Sequence, residues 1–297
     1  MLKTLQGYLG WGLVDFDKRF EIDRRLGVTL TGDIEKVVDN TNGQTFLLKR
    51  ISAAETEKYR SRFRKAKYAS EIEIAQQFQT SSPPGNLVIS DSGTTTKPDE
   101  FLLYEFQSGY FLSRYLDPLA RKIDVPLKQR FQWVVELGRL LMKMHVSDYL
   151  HRAIAPAAIY VSAKNLNLSI IDFSAATPNK SEFLIPSSKT RHPLYTAPEV
   201  TRRKAISCQS DVFSFGVIAF ELLSGQHPWQ TKENSTKAAL VYSSQPPTEI
   251  KTLVKLPDLL SDAVMKCLHP DPAKRHRSLK HFLIAAGIKN LPQSRFK

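Results

Sequence analysis

One stretch of this sequence restricts the possible folds more than any other: SDVFSFGVIAFELLSG, at residues 210–225. It is apolar on nearly every side of a helix, and Gly225 is the type of residue at which helices commonly end. No window of the chain approaches the roughly 18 consecutive apolar residues of a membrane span. The stretch therefore predicts a helix that other parts of the same protein bury on all sides.

The chain around this stretch is also predicted to be helical. The segment 127–145 carries apolar residues at the spacing of an amphipathic helix, and a further helix is predicted to end before Pro270. The face of the 127–145 helix that we expect to be buried consists of Phe131, Val134, Val135, Gly138, Leu141, Met142 and His145. From about residue 110 onward we expect mainly helices.

The first third of the chain has a different pattern, in which apolar and polar residues alternate as they do in β-strands. Asn42-Gly43 is a strong signal for a two-residue hairpin turn. A charged segment at about 56–79 predicts one helix, which the sequence SSPPGN breaks. The expected strands lie in 19–27, 33–51, 87–90 and 101–106. Together these segments predict a five-stranded antiparallel sheet accompanied by one helix.

The change of pattern predicts an α+β protein with two lobes. We expect a strand-rich lobe at 19–107 and a helical lobe at 108–285, with an extension at 1–18 and a tail at 286–297. Trp11 and three glycines near it suggest that the extension is ordered and packs on the fold. A peptide that binds a partner chain is the alternative interpretation of the extension.

The composition narrows the class of protein. Of 297 residues, 42% are hydrophobic and 24% are charged, as in ordinary soluble globular domains. The two cysteines are far apart, which argues against a disulfide framework or a zinc site and favours a reducing compartment. The first residues lack an apolar core of signal-peptide length. We therefore expect a soluble, cytoplasmic protein.

The formal net charge of +13 has two interpretations. Basic clusters at 58–67, 202–204 and 274–277 could attract acidic partners, phosphorylated segments, nucleic acid or anionic lipid, or they could simply be solvated surface. The clusters lack the interleaved aromatic rings of a nucleic-acid platform, which argues against nucleic acid. We favour solvated surface and keep an acidic protein partner as the alternative.

A series of short motifs follows along the chain. The motifs are GVTLTG at 27–32, FLLK ending at Lys49, SEIEIAQQF with Glu71, HRAIAPAAI at 151–159, IIDFS with Asp172, APE at 197–199, DVFSFG at 211–216 and DPAKR with Arg275. In this order and spacing they resemble the protein kinase family, from about residue 20 to 285. The resemblance implies a bilobal fold. It also implies a Ser/Thr protein kinase as the parent protein, which uses ATP and acts on a protein substrate.

The resemblance also implies a nucleotide site in the strand-rich lobe. Lys49 would steady the first two phosphates and pair with Glu71, Asp172 would bind a metal ion, and residues 104–106 would line the hinge that holds adenine. The implied cofactor is ATP with Mg. The implied cofactor-binding residues are Gly27, Thr29, Gly32, Ile34, Leu47, Lys49, Glu71, Tyr104, Glu105 and Phe106.

The loop at 151–159 departs from the family at the three positions that carry the chemistry. Active members read H-R-D-[LI]-K-P-x-N there, whereas this chain has Ala153 for the aspartate, Ala155 for the lysine and Ala158 for the asparagine. A methyl group accepts no proton, neutralises no phosphate and binds no metal. Loss of a general base alone slows a reaction by about 10²–10⁴-fold, so we expect little or no phosphotransfer.

Further departures fall in the implied nucleotide site. Thr29 replaces the second glycine of the loop, and both Leu47 and Tyr160 would crowd the adenine base. Overpacking of this kind typically costs about 1–3 kcal/mol, so ATP is expected to bind weakly and only with a metal ion. One turn after Glu71, Ala75 stands where the family has a larger apolar residue, and we expect a gap there.

These departures leave several interpretations open. The chain is a natural pseudokinase, or it is an active kinase in which three loop residues were replaced by alanine on purpose. A third interpretation is a binding module whose basic helix at 56–79 engages an acidic protein, and a fourth is a small-molecule kinase of related fold. Candidate sites of self-phosphorylation, which Arg152 would bind once phosphorylated, are Ser181, Ser187, Ser188 and Thr190.

Overall fold

The computed structural model describes residues 13–63, 66–79, 86–117, 125–184, 192–229 and 238–288. The chain divides into two compact units, Met1–Tyr110 with Tyr160–Ala175 and Phe111–Ile159 with Ala176–Lys297. Residues 160–175 thus group with the strand-rich unit, although they lie inside the segment expected for the helical lobe. Residues 1–12 of the expected extension lie outside the described residues, as do Ser187, Ser188 and Thr190.

The first unit contains the expected five-stranded antiparallel sheet, which has the strand order β1-β2-β3-β5-β4. Each neighbouring pair of strands is antiparallel. The strands are β1 (Phe20–Val28), β2 (Asp33–Asp39), β3 (Thr45–Ile51), β4 (Ile89–Thr94) and β5 (Glu100–Glu105). Three shorter strands, β6 (Gly109–Phe111), β7 (Ile159–Ser162) and β8 (Leu168–Ile170), form a second sheet in the order β6-β7-β8.

The hairpin between β2 and β3 is longer than Asn42-Gly43 suggested. The amide of Asp39 donates to the carbonyl of Gln44 at 2.9 Å, so four residues, 40–43, form the loop. The Asp39 carboxylate accepts from the amide of Thr41 at 2.9 Å, and Gly43 adopts a φ of 70°. The dipeptide correctly marked the turn, but the two-residue length was wrong because the Asp39 side chain stabilises a wider loop.

The single helix expected at about 56–79 is wrong, because the segment contains two α-helices. These are α2 (Ala53–Arg60), which continues as one 3₁₀ turn at Ser61–Phe63, and α3 (Glu71–Gln79). A capping box starts α3: the amide of Ser70 donates to the Glu73 carboxylate at 2.6 Å, and the amide of Glu73 donates to the Ser70 hydroxyl at 3.2 Å. This local signal begins a new helix and separates it from the basic segment before it.

One face of the five-stranded sheet is covered by the residues that precede β1. The short helix α1 (Phe16–Arg19) places Phe16 in a buried cluster with Phe20, Val37, Phe46, Leu48, Phe101 and Leu103. The guanidinium of Arg50 lies 4.1 Å from the centroid of the Phe16 ring. The part of the expected extension that the structure describes therefore belongs to the core of this unit.

The second unit is mainly helical, as the spacing of apolar residues predicts. Its helices are α4 (Leu112–Leu116), α5 (Leu127–Val146), α6 (Pro198–Thr201), α7 (Cys208–Ser224), α8 (Ala238–Ser244), α9 (Asp258–Cys267) and α10 (Leu279–Ala285). The α+β class expected from the sequence is confirmed. None of the helices in the described ranges combines the length and the apolar character needed to cross a membrane.

Helix α7 is the buried helix predicted from 210–225. Gly225 ends it with a φ of 76°, the left-handed conformation that glycine adopts readily. A Cβ atom on Gly216 would come within 2.4 Å of the Cβ of Cys267, so this glycine lets α7 and α9 approach closely. In α5 the expected face is buried or half-buried, and it also includes Trp133, Leu137 and Met144.

Candidate active site

A buried ion cluster lies in the first unit, where β3 carries Lys49. The Lys49 side chain is inaccessible to solvent, and its Nζ atom donates to Oε1 of Glu71 on α3 and to Oδ1 of Asp172 at 2.6 Å. The expected pairing of Lys49 with Glu71 is confirmed. Asp172 reaches the same ammonium from the segment after β8, so three residues that are distant in sequence meet at one point.

The two carboxylates of this cluster have further donors. The Thr31 hydroxyl donates to Oε2 of Glu71 at 2.8 Å, and the amide of Phe173 donates to Oε1 of Glu71 at 3.1 Å. The amide of Ser174 donates to Oδ1 of Asp172 at 3.0 Å. The protein itself therefore supplies the hydrogen bonds that a buried charge requires.

The charges in this cluster shift one another's proton affinities. Burial opposes the positive charge of Lys49, but Asp172 and Glu71 outweigh it and raise the Lys49 pKa. Burial likewise opposes ionisation of Asp172, yet Lys49 and the donors at Ser174 lower its pKa to about 2. Burial raises the pKa of Glu71, because one lysine does not fully compensate two buried carboxylates. Of the two carboxylates, Asp172 is therefore the one whose ionised form Lys49 mainly stabilises.

Helix α3 lies in the inward position that the Lys49–Glu71 pair requires. Ala75 is fully buried, and the Phe78 ring, on the next residue of the same face, stacks on Phe173 with ring centroids 6.3 Å apart and planes at 21°. Phe78 thereby provides an aromatic partner for Phe173 where we expected a gap beside Ala75.

The loop between β1 and β2 is a tight turn whose polar groups bond to one another. The amide of Thr29 donates to the carbonyl of Gly32 at 2.7 Å, and the Thr29 hydroxyl donates to the same oxygen at 2.8 Å. A Cβ atom on Gly32 would lie 2.3 Å from the carbonyl oxygen of Arg50, which only glycine avoids. Gly27 pairs with Ile34 across the two strands that flank this turn.

The residues implied to contact adenine lie on β2, β3 and β5 and directly after β5. Leu47 on β3 pairs with Tyr104 on β5, and both side chains are buried, as is Ile34. Glu105 is exposed and Phe106 is half-buried, with the ammonium of Lys36 5.2 Å from the centroid of its ring. Tyr104 thus lies inside the sheet, whereas Glu105 and Phe106 lie at its end.

The loop with the three alanines belongs to the second unit, where Asp211 on α7 anchors its backbone. The Asp211 carboxylate accepts from the amides of His151 and Arg152, each at 2.8 Å, and lies 3.1 Å from Nε2 of His145. Burial opposes ionisation of Asp211, but these donors keep its pKa below the usual value. The loop is held in place although its chemical groups are absent.

The alanine side chains themselves provide no functional group. Ala155 directly precedes the 3₁₀ turn at Pro156–Ala158 and Ala158 ends it; both are fully buried, and Ala153 is half-buried. The amide of Ala158 donates to the carbonyl of Ala155 at 2.9 Å. No proton acceptor, cation or metal ligand is present at these three positions.

A second buried ion pair stabilises the helical unit. Glu199 on α6 receives two hydrogen bonds from the guanidinium of Arg275, both 2.8 Å long, and one from the Ser210 hydroxyl, also 2.8 Å long. Paired, parallel hydrogen bonds of this kind are geometrically specific. The motifs APE and DPAKR therefore meet in space as a part of the scaffold.

Residues 20–283 of the chain match the protein kinase domain. The chain belongs to the protein kinase family. Its expected kinase-like fold is confirmed by the twitchin kinase region from C. elegans, which aligns with a TM-score of 0.67 at 19% identity and covers 95% of this chain and 48% of that one.

The curated relatives include bacterial kinases. The serine/threonine-protein kinase PknA of Mycobacterium tuberculosis is 24% identical over 280 residues, which cover 89% of this chain and 60% of that protein. PknA of Corynebacterium glutamicum is 26% identical over 181 residues, which cover 59% of this chain and 36% of that protein. This kinase domain thus spans between about a third and three fifths of the length of these relatives.

The residues present do not fit the pair of magnesium ions that protein kinases use with ATP. Oδ1 of Asp172 is already bonded to Lys49 and to the Ser174 amide, and Ala158 offers no ligand for a second ion. Within the described ranges, no group of three or more His, Cys, Asp or Glu side chains is arranged to hold a metal ion. Of the two positions at which the family holds metal ions, this chain has a carboxylate at Asp172 and a methyl group at Ala158.

Several site residues were not foreseen from the sequence. Thr31 bonds to Glu71, Phe78 stacks on Phe173, and Gln107 provides a carbonyl that accepts from the Tyr160 hydroxyl at 2.8 Å. Their residue types carry no local signal for these roles, because each contact joins segments far apart in the chain. Tyr160 was recognised as a bulky residue, but its hydrogen bond was not expected.

Proposed function

We propose that this protein kinase domain is a natural pseudokinase, which transfers no phosphate and acts by binding a protein partner. The observation that carries the proposal is the loop at 151–159, in which the positions of the catalytic aspartate, lysine and asparagine are Ala153, Ala155 and Ala158. The aspartate accepts the proton of the substrate hydroxyl, and its loss alone costs about 10²–10⁴-fold in rate. Effects of groups that act as a unit are not additive, so the three losses are not multiplied.

The state of the surrounding scaffold supports this proposal. The loop backbone remains bonded to Asp211, and Glu199 remains bonded to Arg275. The scaffold contacts of the kinase fold are therefore present, although the catalytic side chains of the loop are absent. The full burial of Ala155 and Ala158 favours a natural origin over replacement by design. Larger side chains at buried positions overpack their surroundings, typically at about 1–3 kcal/mol.

The contacts of Arg152 support the interpretation that phosphorylation does not activate this domain. One guanidinium nitrogen donates to the carbonyl of Phe183 at 2.8 Å and to the Thr177 hydroxyl at 3.2 Å. These groups take a share of the hydrogen-bonding capacity that a phosphate on Ser181 would otherwise use. Self-phosphorylation of this segment is therefore no part of the proposal.

A binding module that uses the basic helix finds less support. The guanidinium of Arg60 donates to the carbonyl of Ala69 at 3.0 Å and lies 4.6 Å from the centroid of the Tyr68 ring. The guanidinium of Arg62 lies 5.2 Å from the centroid of the Tyr59 ring. These cations pack on their own unit, so we place the partner elsewhere and do not assign it an acidic surface.

The proposal is tested by a radiolabelled phosphotransfer assay. The chain is compared with the variant A153D/A155K/A158N under Mg-ATP and Mn-ATP, with PknA of M. tuberculosis as the positive control. We expect no transfer from either form, because Thr29, Leu47 and Tyr160 also depart from the family in the implied nucleotide site. Transfer by the unaltered chain would refute the proposal. Transfer by the triple variant alone would instead support an active kinase disabled at these three positions.

A further inference from the structure

The segment that follows β5 contains backbone acceptors that the sheet does not use. The ladder between β3 and β5 ends with the pair Phe46 and Glu105, and the chain continues through residues 106–108 without regular structure. This is the position of the hinge that holds adenine in kinases. An adenine base would need hydrogen-bonding groups of this segment to be free.

Two carbonyl oxygens of this segment are already bonded to donors from strand β7 and the turn after it. The Tyr160 hydroxyl donates to the carbonyl of Gln107 at 2.8 Å, and the amide of Ala163 donates to the carbonyl of Ser108 at 2.7 Å. A tyrosine hydroxyl and an adenine amino group are both donors, so they compete for the same kind of acceptor. The Tyr160 hydroxyl therefore occupies a hydrogen-bond acceptor of the hinge segment.

The Tyr160 ring fits closely into its surroundings. Only 3% of its surface is exposed, and a Cβ atom on Gly109 would lie 2.9 Å from Cε1 of the ring. The same Cβ atom would lie 2.1 Å from the carbonyl oxygen of Val161. Gly109 thus provides the space in which Tyr160 and β7 lie against the hinge segment.

We infer that Tyr160 is the residue that excludes adenine from this domain, by filling the floor of the former nucleotide site and bonding to the carbonyl of Gln107. The inference rests on the proposed function, because it treats the hinge as the former nucleotide site of a kinase domain. The Lys49 cluster lies in the same unit, and Lys49 keeps the pair with Glu71 that protein kinases use at the phosphates. Removing Tyr160 should therefore be enough to admit an adenine base.

The experiment measures binding of adenosine and of Mg-ADP to the whole chain by calorimetry, with far-UV circular dichroism as the check on folding. We expect no measurable binding to the unaltered chain. Y160L, which shortens the side chain and removes the donor, should bind adenosine at least about tenfold more tightly than the unaltered chain does. It should bind Mg-ADP as well, because the proposed exclusion acts on the adenine base that both ligands share. Y160F keeps the ring on the floor of the site but frees the carbonyl of Gln107, so it should bind adenosine more weakly than Y160L does.

A second variant keeps the inference testable if Y160L does not fold. L47A enlarges the same site from β3 but leaves Tyr160 in place, so it should not bind adenosine. The role of Tyr160 would be overturned by adenosine binding to L47A, by adenosine binding to Y160F as tightly as to Y160L, or by equal binding to the unaltered chain and Y160L. Adenosine carries no phosphate to transfer, so each of these results is independent of the phosphotransfer assay that tests the proposed function.

Discussion

Replacement of Lys49 by methionine tests whether the buried cluster depends on its single cation. Lys49 is inaccessible to solvent and bonds to both Glu71 and Asp172. Methionine has a similar length and no charge, so K49M removes the cation without leaving a large cavity. Two carboxylates would then be buried side by side, and the amide and hydroxyl donors around them would be the only remaining compensation.

The size of the effect follows from the proton affinity of Asp172. Its pKa is lowered from 3.8 to about 2, and a difference of this size corresponds to about 2 kcal/mol of stability at neutral pH. Breaking a buried ion pair by removing one partner typically costs about 3–5 kcal/mol. We therefore expect K49M to lower the free energy of unfolding by about 3 kcal/mol at pH 7.

The unaltered chain and K49M should differ in the direction in which their stability changes with pH. In the unaltered chain the stability that comes from Asp172 is present above pH 3.8 and is lost as the pH falls toward about 2. In K49M the buried carboxylates favour their protonated forms, so their folded pKa values lie above the unfolded values. The stability of K49M should therefore fall as the pH rises from about 4 to 7.

Urea unfolding followed by circular dichroism at pH 4 and pH 7 measures both effects. The matched control is K58M, because the Lys58 side chain is 65% exposed and pairs with Glu55 at the surface. It should change the stability by less than about 0.5 kcal/mol. A K49M protein that is as stable as K58M at pH 7, or whose stability rises toward neutral pH, would show that the cluster does not depend on Lys49.

Three further predictions concern the packing and the charges of the two units. Burial raises the pKa of Glu221 to about 7, so the contribution of Glu221 to stability falls as the pH rises from 4.5 to about 7. E221Q should therefore change the slope of the free energy of unfolding against pH by up to about 1.4 kcal/mol per pH unit in that range, as measured by urea titrations at pH 5 and 7. F16A should cost about 3–5 kcal/mol in the same assay, whereas L13A, at a residue that is 51% exposed, should cost less than about 0.5 kcal/mol; equal losses would contradict a core that includes α1. G216A should lower the thermal midpoint at a cost of about 1–3 kcal/mol, since its Cβ atom would meet Cys267; an unchanged midpoint would refute the close approach of α7 and α9.

The class of fold, and the resemblance to protein kinases, could be read from the chain before its structure was known. The apolar stretch at 210–225 requires a buried helix, and the alternation before residue 107 requires a sheet, because these periodicities follow directly from helix and strand geometry. The order of the motifs is equally local information, as are the three alanines at 153, 155 and 158. For this reason the confirmed elements are those with a strong pattern of their own, such as α5 and α7.

Local patterns were a poorer guide to where elements begin and end. The charged segment at 56–79 has a helical composition throughout, yet the capping box at Ser70 and Glu73 starts a separate helix within it. The turn at Asn42-Gly43 was located correctly, but its length depends on the side chain of Asp39. Both errors arise because a few side-chain hydrogen bonds outweigh the average propensity of a segment.

The contacts within the candidate site could be known only from the folded chain. Thr31 meets Glu71, Lys49 meets Asp172, and Gln107 meets Tyr160 across separations of 40, 123 and 53 residues. No periodicity records such contacts, because they depend on the path of the chain between the strands. A threonine, a phenylalanine or a tyrosine has no fixed role until a partner lies within hydrogen-bond or van der Waals distance, and the fold alone provides that partner.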